Sequence, residues 1–156
     1  MKILLATDGS AYNNQAIKEF AGRLFAPDTE LRIISAFMNS TIVMSTAAPM
    51  GGLAGYYEEI DNMAKKSAED AVTSAADILQ KMHPSLKITT SVINGSPKHV
   101  ILKEAEAFGA NLIVVGSHGL GAIERFLLGS VSQAVALHAK CSVEIVRHIN
   151  IEKENK

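Results

Sequence analysis

The chain holds a single cysteine, Cys141, in 156 residues, so no disulfide can form within it and a reducing compartment suits it. Charge of either sign is also lacking in excess: 15 lysines and arginines stand against 16 aspartates and glutamates, a formal net charge of −1. That balance excludes the broad basic field that grips a nucleic-acid backbone or an anionic membrane, so any anion site must be local. No long hydrophobic run opens the sequence. Lys2 precedes only Ile3 to Ala6 before Thr7-Asp8-Gly9, too short for a signal-peptide core or a membrane span, and a cytoplasmic location is the expectation. No Gly-Lys pair occurs anywhere, which excludes the P-loop. His138 and Cys141 have metal-ligand spacing but no second pair to complete a site, so they read as helix-end packing and no metal site is expected.

What the chain has is apolar content, 47% of its residues, enough for one domain over 1–148 with a full core, followed by a charged tail over 149–156. Lys2 to Asp8 (KILLATD) is a continuous apolar run ending in turn formers, the pattern of a parallel strand covered on both faces. Between Ser10 and Phe25, Ile17, Phe20, Ala21, Leu24 and Phe25 recur as one helical stripe, with Pro27 just beyond. Glu30 to Phe37 reads as a second strand. Met38 to Tyr57, with Pro49, Gly51, Gly52 and Gly55, reads as a loop, either a lid or partner surface or a plain connection. Glu58 to Met82 predicts a long helix whose methionines fill the core. Lys87 to Asn94 is a third strand; Ser96 and Pro97 open a helix that Gly109 stops after Phe108. Asn111 to Gly116, Ser130 to Ala139 and Ser142 to Arg147 supply the last strand, helix and strand. The alternation predicts an α/β fold: a five-stranded, doubly wound parallel sheet in a Rossmann-like three-layer α/β/α arrangement.

Such a sheet binds ligands at the carboxyl ends of its strands, near the point where strand order reverses. That directs attention to Thr7-Asp8-Gly9 and to VVGSHGLGAIERFLLGS, residues Val114 to Ser130. Gly116 ends a strand, Gly119 follows, and Gly129-Ser130 opens a helix whose unsatisfied amides and positive dipole end suit phosphate oxygens. Ser130 and Ser132 offer hydroxyl donors to the same phosphates, and Ser130 is placed to cap the helix. A dinucleotide fingerprint fails, because Gly119-Leu-Gly121 is followed three places on by Glu124 rather than glycine.

The spacing Gly116-x-x-Gly119, nine residues, then Gly129-Ser130 resembles the Gly-2x-Gly-9x-Gly-Ser/Thr signature of the ATP-binding branch of the UspA-like universal stress protein family. The likeness runs over about residues 2 to 148: ILLATDGS resembles the family's first strand and Asp turn, and GSPKHVILKEAEAFGANLIVVGSHG its third helix and fourth strand. The resemblance implies that Asp8 approaches the adenine and ribose side of a nucleotide and that Ala36 makes a backbone contact to the adenine edge. It implies ribose and phosphate contacts from Gly116, Gly119, Gly129 and Ser130, with Val115, Ser117, His118, Val131 and Ser132 as neighbours. Magnesium can accompany the phosphates, although no acidic cluster specifies it. Asp8 can also cap the first helix, and the two roles are compatible. His118 lacks a Ser/Asp partner by motif and reads as a loop histidine near phosphate; Arg125 is left unassigned.

The function this implies is an ATP-, ADP- or AMP-binding stress or signalling regulator with slow hydrolysis at most, in which occupancy alters a dimer surface or the Met38 to Tyr57 loop; an unidentified protein partner is compatible with it, and neither nucleic acid nor membrane is expected as one. The alternative is a hydrolase or nucleotidyl-transfer enzyme at the same site, which would need a base or nucleophile that no motif supplies. A phospho-receiver is a third and weaker reading, since it needs an acidic pair after the first strand and an Asp after the third, where the chain has the single carboxylate of Thr7-Asp8 and Asn94-Gly95. A homodimer through the fifth strand is expected, with Val143 and Ile145 as a small apolar seam and with Glu144 close to its mate, where the like charges oppose each other unless solvated or matched by Arg147, so that association weakens at low salt.

Overall fold

The computed structural model describes residues 1–40, 54–117 and 128–147. In chain order these form β1 (Lys2–Ala6), α1 (Ala11–Ala21), β2 (Glu30–Phe37), α2 (Ala54–Met82), β3 (Lys87–Asn94), α3 (Pro97–Phe108), β4 (Leu112–Gly116), α4 (Ser130–His138) and β5 (Ser142–Val146). The five strands make one parallel sheet in the order β3-β2-β1-β4-β5, with Ile3 level with Leu31 on one side and Leu112 on the other. The expected doubly wound architecture is therefore present.

Alternation along each strand divides the core into two layers. Ile3 and Leu5 of β1 join Leu31, Ile33 and Val114 against Ile17 and Phe20 of α1 and Val72, Ala75 and Leu79 of α2. Leu4 and Ala6 face the opposite way, with Ile34, Ile113 and Val115 against Val100, Ile101 and Ala105 of α3 and Val135 of α4. β1 is buried on both faces, which is why its sequence reads as an unbroken apolar run.

Several boundaries and burials differ from the sequence reading. β1 ends at Ala6, because the chain turns at once: Gly9 takes φ +72°, and a Cβ there would stand 3.0 Å from the Cβ of Ala71 on α2. α1 stops at Ala21 with Gly22 as its C-cap, so Leu24 leaves the helical stripe and is 98% exposed. Phe25, also past the helix, still packs edge-on against Phe20 and His83. α2 starts at Ala54, so Ala54 to Tyr57 are helix rather than loop; the rest of that loop beyond Ser40, like the tail 149–156, lies outside the described residues. Asn111, Ala139 and Arg147 flank their elements instead of ending them.

The methionines of α2 are not core filler: Met63 is 66% and Met82 52% exposed. The cause is length. The 29 residues of α2 span about 43 Å, whereas the eight-residue strands β2 and β3 span only about 27 Å, so the helix ends extend past the sheet. On β5, Val146 is buried in the first layer while Val143 and Ile145 are half-buried against the second, so neither of these two forms a free seam. Glu144 is ion-paired with Arg23, just past α1, and not with Arg147. Among the described residues no helix is long and apolar enough to cross a membrane.

The turn after β1 yields a stability prediction. Gly9→Ala should destabilise the fold by about 1–3 kcal/mol, from a left-handed backbone that alanine resists and from the Ala71 contact. Urea unfolding of Gly9→Ala, Ala71→Gly and the double variant separates the two causes. A double variant less destabilised than the sum of the singles assigns part of the cost to the contact; strict additivity leaves only the backbone.

Candidate functional site

Winding reverses between β1 and β4. The chain leaves β1 for α1 on the first-layer face and leaves β4 for α4 on the second-layer face, while the two strands lie side by side. The adjacent carboxyl ends of β1 and β4 are therefore the switch point of the sheet, where folds of this kind have the crevice that takes ligands.

One wall is the turn into α1. Ser10, not Asp8, is the N-cap: its hydroxyl accepts the N–H of Asn13 at 3.2 Å. Asp8 turns its Oδ1 back on the same turn, accepting the N–H of Ser10 at 3.0 Å and the side-chain Nδ2–H of Asn13 at 3.1 Å. Asp8 is half-buried and Asn13 buried, so the carboxylate sits at the rim on an interior support. Ala36 lies beside it. The N–H of Thr7 donates to the carbonyl of Ile34 at 2.9 Å, and pairing of β1 with β2 ends at Ala6 and Ile34. Alternation aims the N–H and C=O of Ala36 to the same side as those of Ile34, two residues beyond that last pair and over the end of β1.

The other wall is the end of β4 with the start of α4. Ser117 is buried; its N–H donates to Val146 at 2.9 Å and its carbonyl accepts from the N–H of Gly129 at 2.9 Å. Gly129 is thus tied to the strand end and is itself the N-cap, at φ −58° and ψ 146°, with Ser130 as the first helical residue. The sequence reading had Ser130 as the cap. The first intrahelical bond runs from the N–H of Gln133 to Gly129 at 3.0 Å. The amides of Ser130, Val131 and Ser132 consequently have no acceptor within the helix.

Ser132 also departs from expectation. Its hydroxyl, 4% exposed as a residue, donates to the carbonyl of Gly116 at 2.6 Å, so its one proton locks α4 to β4 and is not offered to a ligand. The Val115 side chain is buried in the second layer, and Val131 packs against that layer. His118 and Gly119 lie outside the described residues. The structure thus brings Asp8, Ala36, Gly116, Ser117, Gly129, Ser130, Val131 and Ser132 to one end of the sheet. Asn13 is the residue that the sequence reading missed, although its spacing after Ser10, with the intervening residues of a first helical turn, was a visible signal.

Two other features stand apart from this crevice. A recess of about 430 Å³ beside Gly9, lined by Asn14, Lys66, Ser67 and Asp70 among others, lies between α1 and α2 and includes none of the expected site residues. Cys141 packs against the second layer, and its burial raises the thiol pKa despite an opposing backbone bond to Ile113. Among the described residues no group of three or more His, Cys, Asp or Glu side chains is placed to hold a metal ion.

The universal stress protein family model matches residues 1–147. Universal stress protein YxiE of Bacillus subtilis is 30% identical over 147 residues, covering 94% of this chain and 98% of that protein. Among solved structures, universal stress protein UspA from Lactobacillus plantarum is similar with a TM-score of 0.71 at 23% identity, covering 94% of this chain and 97% of the other. A universal stress protein in complex with cAMP is similar with a TM-score of 0.65 at 25% identity, again covering 94% and 97%. Two neighbours of lower identity also carry adenine nucleotides: one from Archaeoglobus fulgidus is in complex with dAMP, at 20% identity, TM-score 0.61 and coverage of 94% and 98%. The other, from Arabidopsis thaliana, has AMP bound, at 16% identity, TM-score 0.66 and coverage of 100% and 97%.

Proposed function

The chain belongs to the universal stress protein family, and on that premise we propose that it binds ATP, ADP or AMP in the crevice between β1 and β4. In this reading residues 1–148 are one nucleotide-binding domain. It acts in the cytoplasm as a nucleotide-dependent stress or signalling regulator, and occupancy alters the surface offered to a partner protein.

One observation carries the reading: two helix N-termini meet at the same sheet end, and they are chemically unlike. At α4 three amides lack intrahelical acceptors and a glycine stands at the cap, a donor-only surface that suits phosphate oxygens. At α1 the cap donor is taken by Ser10 and a carboxylate stands in front, which repels phosphate but accepts from hydroxyl or amine groups. A nucleotide satisfies both only in one direction, with phosphates at α4 and ribose and base toward Asp8 and Ala36. The backbone of Ala36 presents one donor and one acceptor, the complement of an adenine edge. The cAMP complex of a family member supports the same ligand class. Magnesium would travel with the phosphates, and no step here depends on it.

Gly129 tests the phosphate end. Its φ and ψ are open to any residue, so Gly129→Val should keep the fold, at a cap cost of about 1 kcal/mol, while its side chain obstructs the amides. Calorimetry should show ATP affinity reduced by at least about tenfold, which is about 1.4 kcal/mol. Unchanged affinity in a folded variant would put the phosphates elsewhere.

Turnover should be slow, because amide donors hold a phosphate without activating water. A steady-state ATPase assay is expected to give well under about one event per second; faster turnover would favour the hydrolase reading.

The protein assembles, in this reading, as a homodimer through β5, the edge strand of the sheet among the described residues. Its backbone groups, and not a side-chain seam, supply the pairing. Because Glu144 is neutralised by Arg23 within the chain, association should vary little with salt. Ile145→Pro removes one ladder N–H and should shift sedimentation toward monomer; an unaltered dimer would move the interface off β5.

A further inference from the structure

Asp8 is a poor reader of a ligand unless something holds it. A carboxylate at a strand end can swing about its last torsion, which is broad, and can be drawn toward solvent or toward the helix N-terminus behind it. In this chain it is held on one oxygen by two donors from different parts of α1's opening turn. The backbone N–H of Ser10 stands 3.0 Å from Oδ1 and Nδ2 of Asn13 stands 3.1 Å from the same atom. The first donor exists for any residue after Gly9. The second depends on the asparagine.

Asn13 is itself fixed. It is 6% exposed, and its N–H is held by the Ser10 hydroxyl at 3.2 Å. Ser10 is buried, and the carbonyl of Ser10 accepts the N–H of Asn14 at 2.9 Å. The side-chain amide therefore reaches Asp8 from a rigid base, and the carboxylate plane is set before any ligand arrives.

We propose that Asn13 is a positioning residue for nucleotide recognition: through Oδ1 it orients Asp8 so that the carboxylate accepts hydrogen bonds from the ribose hydroxyls. This rests on the adenine-nucleotide reading above and adds to it a role in sugar selectivity. A carboxylate offers only acceptors, and of the nucleotide's groups the ribose hydroxyls are the donors a strand-end acceptor can distinguish by their presence or absence. Fixing the acceptor in advance makes the missing hydroxyl costly, since the hydrogen bond it would make is lost and the held carboxylate cannot turn to replace it.

The full-length protein should be titrated with ATP and with 2′,3′-dideoxy-ATP, the same nucleotide without ribose hydroxyls. The wild-type chain is expected to prefer ATP by about tenfold or more. Asn13→Ala should bind dideoxy-ATP as wild type does while its ATP affinity falls to match, erasing the preference. Asn13→Asp offers a second readout in case the alanine variant folds poorly. The introduced carboxylate faces Oδ1 of Asp8, and two like charges at hydrogen-bond distance raise the pKa of the pair. Relative to wild type at each pH, ATP binding by Asn13→Asp should be weak near about pH 8 and recover toward about pH 5.5, as a shared proton restores a donor to Oδ1.

Wild-type chain that binds neither nucleotide overturns the nucleotide reading and this proposal with it. Equal wild-type affinity for both overturns only the ribose role of Asp8. A preference that persists in Asn13→Ala, equal loss of both nucleotides in a folded variant, or an Asn13→Asp profile parallel to wild type, overturns the role of Asn13.

Discussion

All five strands run in the same direction, so each delivers its carboxyl end to one side of the molecule, and the helices that follow begin on that side. Winding changes face between β1 and β4, and there the helices that follow the two strands depart to opposite faces of the sheet. The position of Asp8, the placement of the α4 amides and the reach of Ala36 all depend on this one topological constraint. Each belongs to a different element and none is near the others in sequence.

The chemistry at the crevice comes from how each helix start is satisfied. Every helix opens with amides that need acceptors. α1 meets that need locally, with Ser10 as cap and Asp8 folded over the turn, and Gly9 adopts a left-handed backbone that brings the turn against Ala71. α4 has a glycine at the same position, with no side chain to cap it, and spends its nearby hydroxyl, that of Ser132, on fastening the helix to β4. One start is closed and acidic; the other is open and donor-only. An anionic group suits the second and a hydroxyl-bearing group the first, and the bonds that support each helix start are made within the fold.

Much of this was legible in the residues. Buried strands such as KILLA and LIVVG announce themselves as unbroken apolar runs, and Pro97 at the first helical position and Gly109 at the cap marked α3 correctly. The end of β4 and the start of α4 were also legible, with Gly116 closing the strand and Gly129-Ser130 opening the helix. Periodicity failed where it outran the sheet: Met63 keeps the stripe of α2 yet is exposed, because a helix pattern says which side faces inward and not how far the neighbouring layer extends. Leu24 failed for a related reason, since Gly22 ended the helix before the stripe reached it.

The sequence by itself determined the alternation of strands and helices, the apolar faces and the residue types able to bind phosphate, because these depend on local spacing and on intrinsic chemistry. It could not decide which polar groups remain free once the chain has folded. Ser132 and Ser130 look equivalent in the sequence, yet one hydroxyl meets the Gly116 carbonyl and the other side chain stays exposed. Glu144 had solvent or Arg147 as its expected partners and instead pairs with Arg23, 121 residues away along the chain. Hydrogen bonds and ion pairs of this kind are settled by distances of a few ångströms between remote segments, and only the packing of α1, α4 and the sheet against one another sets those distances.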